Sequence, residues 1–191
     1  MEIYIVLIAV ILAAATGFKA TIAMFGYSLA VNLGILHVSS GATWVGSPVC
    51  LVLLFLAMLV EFAIGFIPYL DHVFDIVLLP VVIIAGTLMV GSSSTLGETE
   101  PVVRWALGLL LGGGPAAISH LCSAFVRGLS TLSTAGFGNF LVHLGETILA
   151  VVVVFIALLI PLIALFLLVV LFGIVGLVFL FRKLGAQAEQ S

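Results

Sequence analysis

Charge is what this sequence has least of. Lysine and arginine together number 5 and aspartate and glutamate 8, so charged residues make up 7% of the chain against 64% hydrophobic. A soluble domain carries about a quarter charged residues. The solvent for most of this surface is therefore lipid, and the bilayer is the first partner expected. A formal net charge of -3 offers nothing to nucleic acid, and none is expected as a partner. Length excludes a soluble domain as well. At about 20 apolar residues per span, the 191 residues hold about six spans and short loops.

Other absences narrow the choice further. Cysteine is scarce: Cys50 and Cys122 both sit in apolar runs and read as small buried hydrophobes. The start lacks a basic region, since Met1-Glu2 leads straight into Ile3, so residues 3–16 are expected in the mature protein and not as a secretory signal. No Gly-x-Ser-x-Gly or Ser-x-x-Lys motif is present. Gly112-Gly113-Gly114-Pro115 lacks the Lys-Ser/Thr that would make a phosphate loop. An enzyme is not expected, nor is a cofactor.

What is present is a set of long apolar runs punctuated by Gly, Pro and a few ionisable residues. Residues 3–36 would make a helix of about 50 Å, too long for a hydrocarbon core of about 30 Å. Gly17-Phe18-Lys19 falls in the middle, predicting two helical pieces joined at Gly17 or one long tilted helix. Residues 37–46 read as a polar loop with Trp44 as an interfacial anchor. Ser47 is an expected N-cap with Pro48 at the first helical position. The span that follows runs from Val49 to Ile67 and is ended or kinked by Pro68. It resumes through Met89, and residues 91–101 are the most loop-like part of the chain.

The second half follows the same plan. Residues 102–134 are apolar, with an expected break at Gly112, Gly113, Gly114 and Pro115, and then carry His120 and Arg127. Residues 128–138 are rich in Ser, Thr and Gly and are expected to form a loop. Asn139 opens a span to Ile160, Pro161 breaks it, and a last span runs to Phe181 ahead of Arg182-Lys183. The expected architecture is an all-α integral membrane protein. About six transmembrane helices form two repeated three-helix halves, residues 3–90 and 102–181, joined by the 91–101 loop. Residues 1–184 make one transmembrane domain and 185–191 a short polar tail. Three spans per half would invert the second half. Re-entrant broken units would make the repeat parallel. Positive charge at Arg127 and Arg182-Lys183 places both termini in the cytoplasm under the six-span plan.

The ionisable residues are the candidate working parts. Glu61 lies roughly 21 Å into its span from the outer end, and Glu146 roughly 10 Å from the inner end of its own. In an inverted repeat the two carboxylates reach similar depth. A carboxylate at bilayer depth costs about 2.5–3.5 kcal/mol on insertion scales, so both should face the protein interior. There they can exchange a proton with substrate or water, or pair with Lys19, Arg127 or His143. Asp71 and Asp75 are four apart and share a helix face beside His72. His143 precedes Glu146 by three residues on one face, and His120 reads as a core histidine. Glu61, Asp71, Asp75, His143 and Glu146 are weak candidate ligands for a hard metal ion, with no Glu-x-x-His or His-x-x-x-His motif behind them.

Taken together, these residues resemble a bacterial membrane family catalogued as domain of unknown function 4126. The resemblance covers most of residues 10–180. It rests on Gly17-Phe18-Lys19, on Ser47-Pro48, on Glu61 with Pro68, Asp71 and Asp75, on His120 with Arg127, and on Glu146 after Asn139. The family often carries an Asp-Lys pair where this chain has Gly65-Phe66, and a Lys where it has Ser123. The resemblance implies a helical membrane fold in a bacterial inner membrane and supports the choice of residues; it brings no activity with it. The first functional expectation is a secondary transporter or channel-like carrier of a small solute or ion, with proton coupling through Glu61 and Glu146. Asp71 and Asp75 would form a gate, and Lys19 or Arg127 a countercharge. The alternative is a non-transporting subunit or scaffold, as a homo-oligomer or in a larger membrane complex.

Overall fold

The computed structural model describes residues 2–65, 68–159, 166–167, 169–174 and 176, and leaves the side chains of residues 2–3 and 68–75 aside. Among these residues the chain is helical apart from short connections, with one isolated bridge between Val38 and Ser93. Up to residue 159 the α-helices come in order: α1 (Glu2–Thr16), α2 (Ala20–Asn32), α3 (Pro48–Ile64), α4 (Pro68–Gly91), α5 (Pro101–Gly108), α6 (Gly114–Thr134) and α7 (Asn139–Leu159). A 3-10 segment (Ser40–Gly46) precedes α3, another (Ser94–Leu96) follows α4, and a π-helical segment (Leu109–Gly113) joins α5 to α6.

The centre of the molecule is α1. It is apolar nearly all round, which suits a helix surrounded by other helices or by lipid. It packs against α2, α4, α6 and α7, and Ile11, Leu12, Ala13, Ala14 and Ala15 have no exposed surface. The alanine run lets neighbouring backbones approach closely, which drives helix association where lipid supplies no hydrophobic force. By contrast α3 has no buried residue at all. It packs mainly on α2 and the preceding 3-10 segment, and presents Val49, Val52, Leu53, Phe55 and Leu56 outward. Such a surface in a chain this poor in charge belongs in a bilayer: this is an all-helical membrane protein.

Two helices among the described residues are long and apolar enough to cross a membrane, Pro101–Thr134 and Asn139–Leu159. The bent pair Ser40–Gly46 and Pro48–Ile64, at 55°, makes a third if it is one span. Tyr4–Thr16, Ala20–Asn32 and Ile76–Gly91 are shorter apolar helices.

Local signals read from the sequence map onto the start of most elements. Ser47 caps α3, its Oγ accepting the Cys50 N–H at 3.2 Å with Pro48 in the first turn. Pro68 opens α4, where a missing N–H is harmless. Pro80, inside α4, is tolerated within the helix. Pro161 and the tail lie outside the described residues.

Two expectations are corrected. The helix does not break at Gly112–Pro115. It continues from Pro101 to Thr134 through the π-helical segment. The glycines there serve close approach instead: a Cβ on Gly112 would lie 2.0 Å from the Gly86 carbonyl oxygen of α4, and one on Gly108 2.9 Å from that of Thr87. The wide π turn absorbs Pro115 without ending the helix. Nor is 128–138 a loop. The α6 helix runs on to Thr134, because its hydroxyls bond back to carbonyls one turn earlier and so stay satisfied inside the helix. Thr131 donates to the Arg127 carbonyl at 2.9 Å and Thr134 to that of Ser130 at 2.7 Å. The actual turn is residues 135–138, with Ala135 left-handed and Gly136 at φ +89°.

Gly112→Ala should therefore lower the thermal midpoint in detergent by the equivalent of about 1–3 kcal/mol of overpacking. Gly145→Ala, where a Cβ meets nothing within 4 Å, should be neutral or slightly stabilising. Equal midpoints for the two variants would refute the close-approach role of Gly112.

Candidate functional site

The site is built on the interruption between α1 and α2. The Thr16 hydroxyl donates to the Ala13 carbonyl at 2.6 Å, and the Gly17 and Lys19 N–H groups bond the Ala14 and Ala15 carbonyls at 3.2 Å each. Lys19 is then extended, at φ -145° and ψ 101°, and α2 starts afresh at Ala20. Gly17 is a matter of space: a Cβ there would lie 2.3 Å from the Ser119 Cβ and 2.5 Å from the Ala116 carbonyl oxygen of α6. The first expectation, two pieces joined at Gly17, is what the backbone does.

A new helix start inside an apolar medium exposes N–H groups that water cannot satisfy. The Lys19 side chain makes no cap. Glu61 supplies the cap from α3: its Oε2 accepts the Thr21 backbone N–H at 3.0 Å and also the Thr21 hydroxyl. A carboxylate suits this position, because the N-terminal end of a helix carries partial positive charge.

Glu146 approaches the same interruption from α7. Its Oε2 takes the Arg127 Nη1 at 2.5 Å and lies 3.8 Å from the Lys19 Nζ, while Oε1 accepts the Ser123 hydroxyl. Arg127 Nη1 also donates to Ser123 Oγ at 3.0 Å, across one turn of α6. Lys19 donates to His143 Nδ1 at 2.8 Å. An ammonium has no acceptor, so Nδ1 is the acceptor here and the proton of the neutral ring sits on Nε2. Lys19, Arg127, His143 and Glu146 are all buried. This is a closed ionic cluster joining α1's end to α6 and α7.

A cavity of about 290 Å³ opens against the interruption. Glu61, Lys19, His120, Arg127 and His143 line it, together with the other residues of the 16–21 interruption. Glu146 lines a separate space of about 240 Å³ toward Phe18 and Phe172. The structure thus brings together Lys19, Glu61, His120, Arg127, His143 and Glu146 of the expected set. The side chains of Asp71 and Asp75 lie outside the described residues. Among the described residues no three His, Cys, Asp or Glu side chains gather as a metal ion would need. Cys50 and Cys122 are free and partly buried.

One position, Thr21, carries no signal in the sequence, and two, Ser123 and Gly65, are marked there only for lacking the family's charge. Thr21 and Ser123 are the hydroxyl partners of the two carboxylates; Ser123 lies one turn before Arg127. Gly65 has no side chain because His143 occupies the space: a Cβ would fall 1.6 Å from its Cε1. The resemblance to the family had drawn notice to this position for its lack of charge, and the ring of His143 is the physical counterpart.

Removing one member of a buried charge pair costs about 3–5 kcal/mol because the survivor stays buried unpaired. Glu146→Leu should therefore lower the thermal midpoint sharply, and the double variant Glu146→Leu with Arg127→Met should recover part of the loss. A double variant no more stable than Glu146→Leu would show that Arg127 and Glu146 are not energetically coupled.

No curated protein and no solved structure is detectably similar to the chain. One family model matches residues 6–183, and on that extent the chain belongs to the family described as Domain of unknown function (DUF4126).

Proposed function

We propose that this protein is a small secondary transporter or channel-like carrier of a small solute or ion, with Glu61 as its proton-exchanging group. The observation that carries this proposal is the 290 Å³ cavity at an interrupted helix, walled by Glu61, Lys19, His120, Arg127 and His143. Interrupted helices lend backbone dipoles to a site inside the membrane, and carriers use them to hold charged solutes. Intramembrane ionisable residues that face a cavity mark pathways. A second cavity supports a path, since both follow one groove between α2, α3 and α4. Thr21, Ala57 and Val82 line the first, and Met24, Leu54 and Ala85, one turn further on, line the second.

Glu146 is held by Arg127, Ser123 and Lys19, and we assign it the role of countercharge rather than carrier of the proton. The architecture proposed is six spans in two halves, with α1–α2, α3 and α4 matched to α5–α6, α7 and the last helix. In its favour, each half sends a carboxylate from its second span to a hydroxyl on the preceding element, Glu61 to Thr21 and Glu146 to Ser123. Both carboxylates meet residues 19–21. The proposed location is a bacterial inner membrane with both termini in the cytoplasm. Arg127, being buried in the cluster, drops out of the positive-inside count, which then rests on Arg182-Lys183.

A subunit or scaffold role is favoured by one observation, the outward apolar face of α3, none of whose residues is fully buried, which a homo-oligomer or a partner could cover.

The deciding experiment is reconstitution into liposomes with an internal pH dye and a panel of solute gradients. Wild type should move protons with solute; Glu61→Gln should lose this coupling while keeping a near-normal thermal midpoint. Absence of flux across the panel, together with a stable partner on the column, would replace transport by the subunit role.

A further inference from the structure

At the end of the molecule away from the ionic cluster, a cavity of about 480 Å³ lies beneath the 37–47 and 91–101 connections. We propose that it binds an anionic amphiphile, with the charged head on Arg104 and the apolar body along α2 and α3. This binding does not depend on whether a solute crosses the membrane.

The cavity is of ligand size and divided by chemistry. One end is polar, with Ser39, Ser40, Ser92 and Arg104; the other is apolar, with Met24 and Leu54. Among the described residues Arg104 is its only charged lining residue. Glu98 and Glu100 are exposed on the loop and do not line it. Arg104 is held in place: Nε donates to the Gly91 carbonyl at 2.5 Å and Nη2 to Ser39 Oγ at 2.6 Å, with the guanidinium 5.4 Å from the Trp105 ring. Those bonds use two of the five guanidinium N–H groups. A half-buried, fixed guanidinium with donors to spare is a ready partner for a carboxylate or phosphate. Trp44 and Trp105 flank it, both more than 40% exposed. Tryptophan settles at the boundary of bilayer and water, which puts the polar end at headgroup level and the apolar end within reach of acyl chains. A free fatty acid and an anionic lipid share this chemistry.

The chain's 2 tryptophans both line the cavity, so tryptophan fluorescence reports on it directly. With the protein in phosphatidylcholine vesicles, dibromostearate should quench saturably, at roughly a tenth or less of the concentration needed for the neutral dibromostearyl alcohol. Arg104→Gln should erase that preference and Arg104→Lys should keep part of it. Leu54→Phe, which leaves Arg104 untouched and narrows the apolar end, should weaken quenching by both compounds. Preferential quenching by brominated phosphatidylglycerol over brominated phosphatidylcholine, lost in Arg104→Gln, would support the same site and name lipid as its source. Equal quenching by charged and neutral probes in the wild type, or a preference that survives Arg104→Gln, would overturn the proposal.

Discussion

A helix that stops and restarts inside a packed apolar interior leaves backbone groups that only other protein groups can satisfy. In this chain that constraint sits at Gly17-Phe18-Lys19, and much of the remaining structure answers to it. The end of α1 is covered by α6, which approaches so closely that residue 17 can only be glycine. The start of α2 is met by Glu61 from α3. The cation released into the interruption, Lys19, is met by His143 and Glu146 from α7. Helices from both halves of the sequence are thus tied to one irregular point.

The two buried carboxylates are chemically alike in sequence and unlike in place. Glu146 faces Arg127, Lys19 and the Ser123 hydroxyl. Glu61 faces a helix start and a threonine, partners that hold it without matching its charge in full, and it lines open space. One carboxylate is enclosed in an ion-paired cluster and the other borders a cavity, so two side chains of the same chemistry have different surroundings.

The molecule also has two ends of different character. The ionic cluster binds its charges to each other. The loop end presents one fixed arginine between two tryptophans, with unused donors. Between them run α2, α3 and α4, and α3 packs on α2 while leaving its other faces uncovered. The two cavities lie along these three helices, Thr21, Ala57 and Val82 lining one and Met24, Leu54 and Ala85 the other.

Composition alone determined that the solvent is lipid, since no arrangement of a chain with so few charges could cover it for water. Helix starts at Ser47-Pro48 and Asn139, and the interruption at Gly17, were legible because capping and backbone freedom are local matters. So was the set Lys19, Glu61, Arg127, His143 and Glu146, because a charge in a membrane must be inward and partnered. The tertiary structure alone decided who pairs with whom. Glu61 has the choice of several cations and bonds Thr21 instead, since α2 begins beside it. The glycines at 112–114 carry the composition of a break, yet permit contact with Gly86 across a π turn. The Ser/Thr-rich stretch before 134 carries the composition of a loop, yet its hydroxyls are satisfied by their own helix. In each case the same residues suit two backbones, and the choice between them depends on what packs alongside, which a linear pattern does not contain.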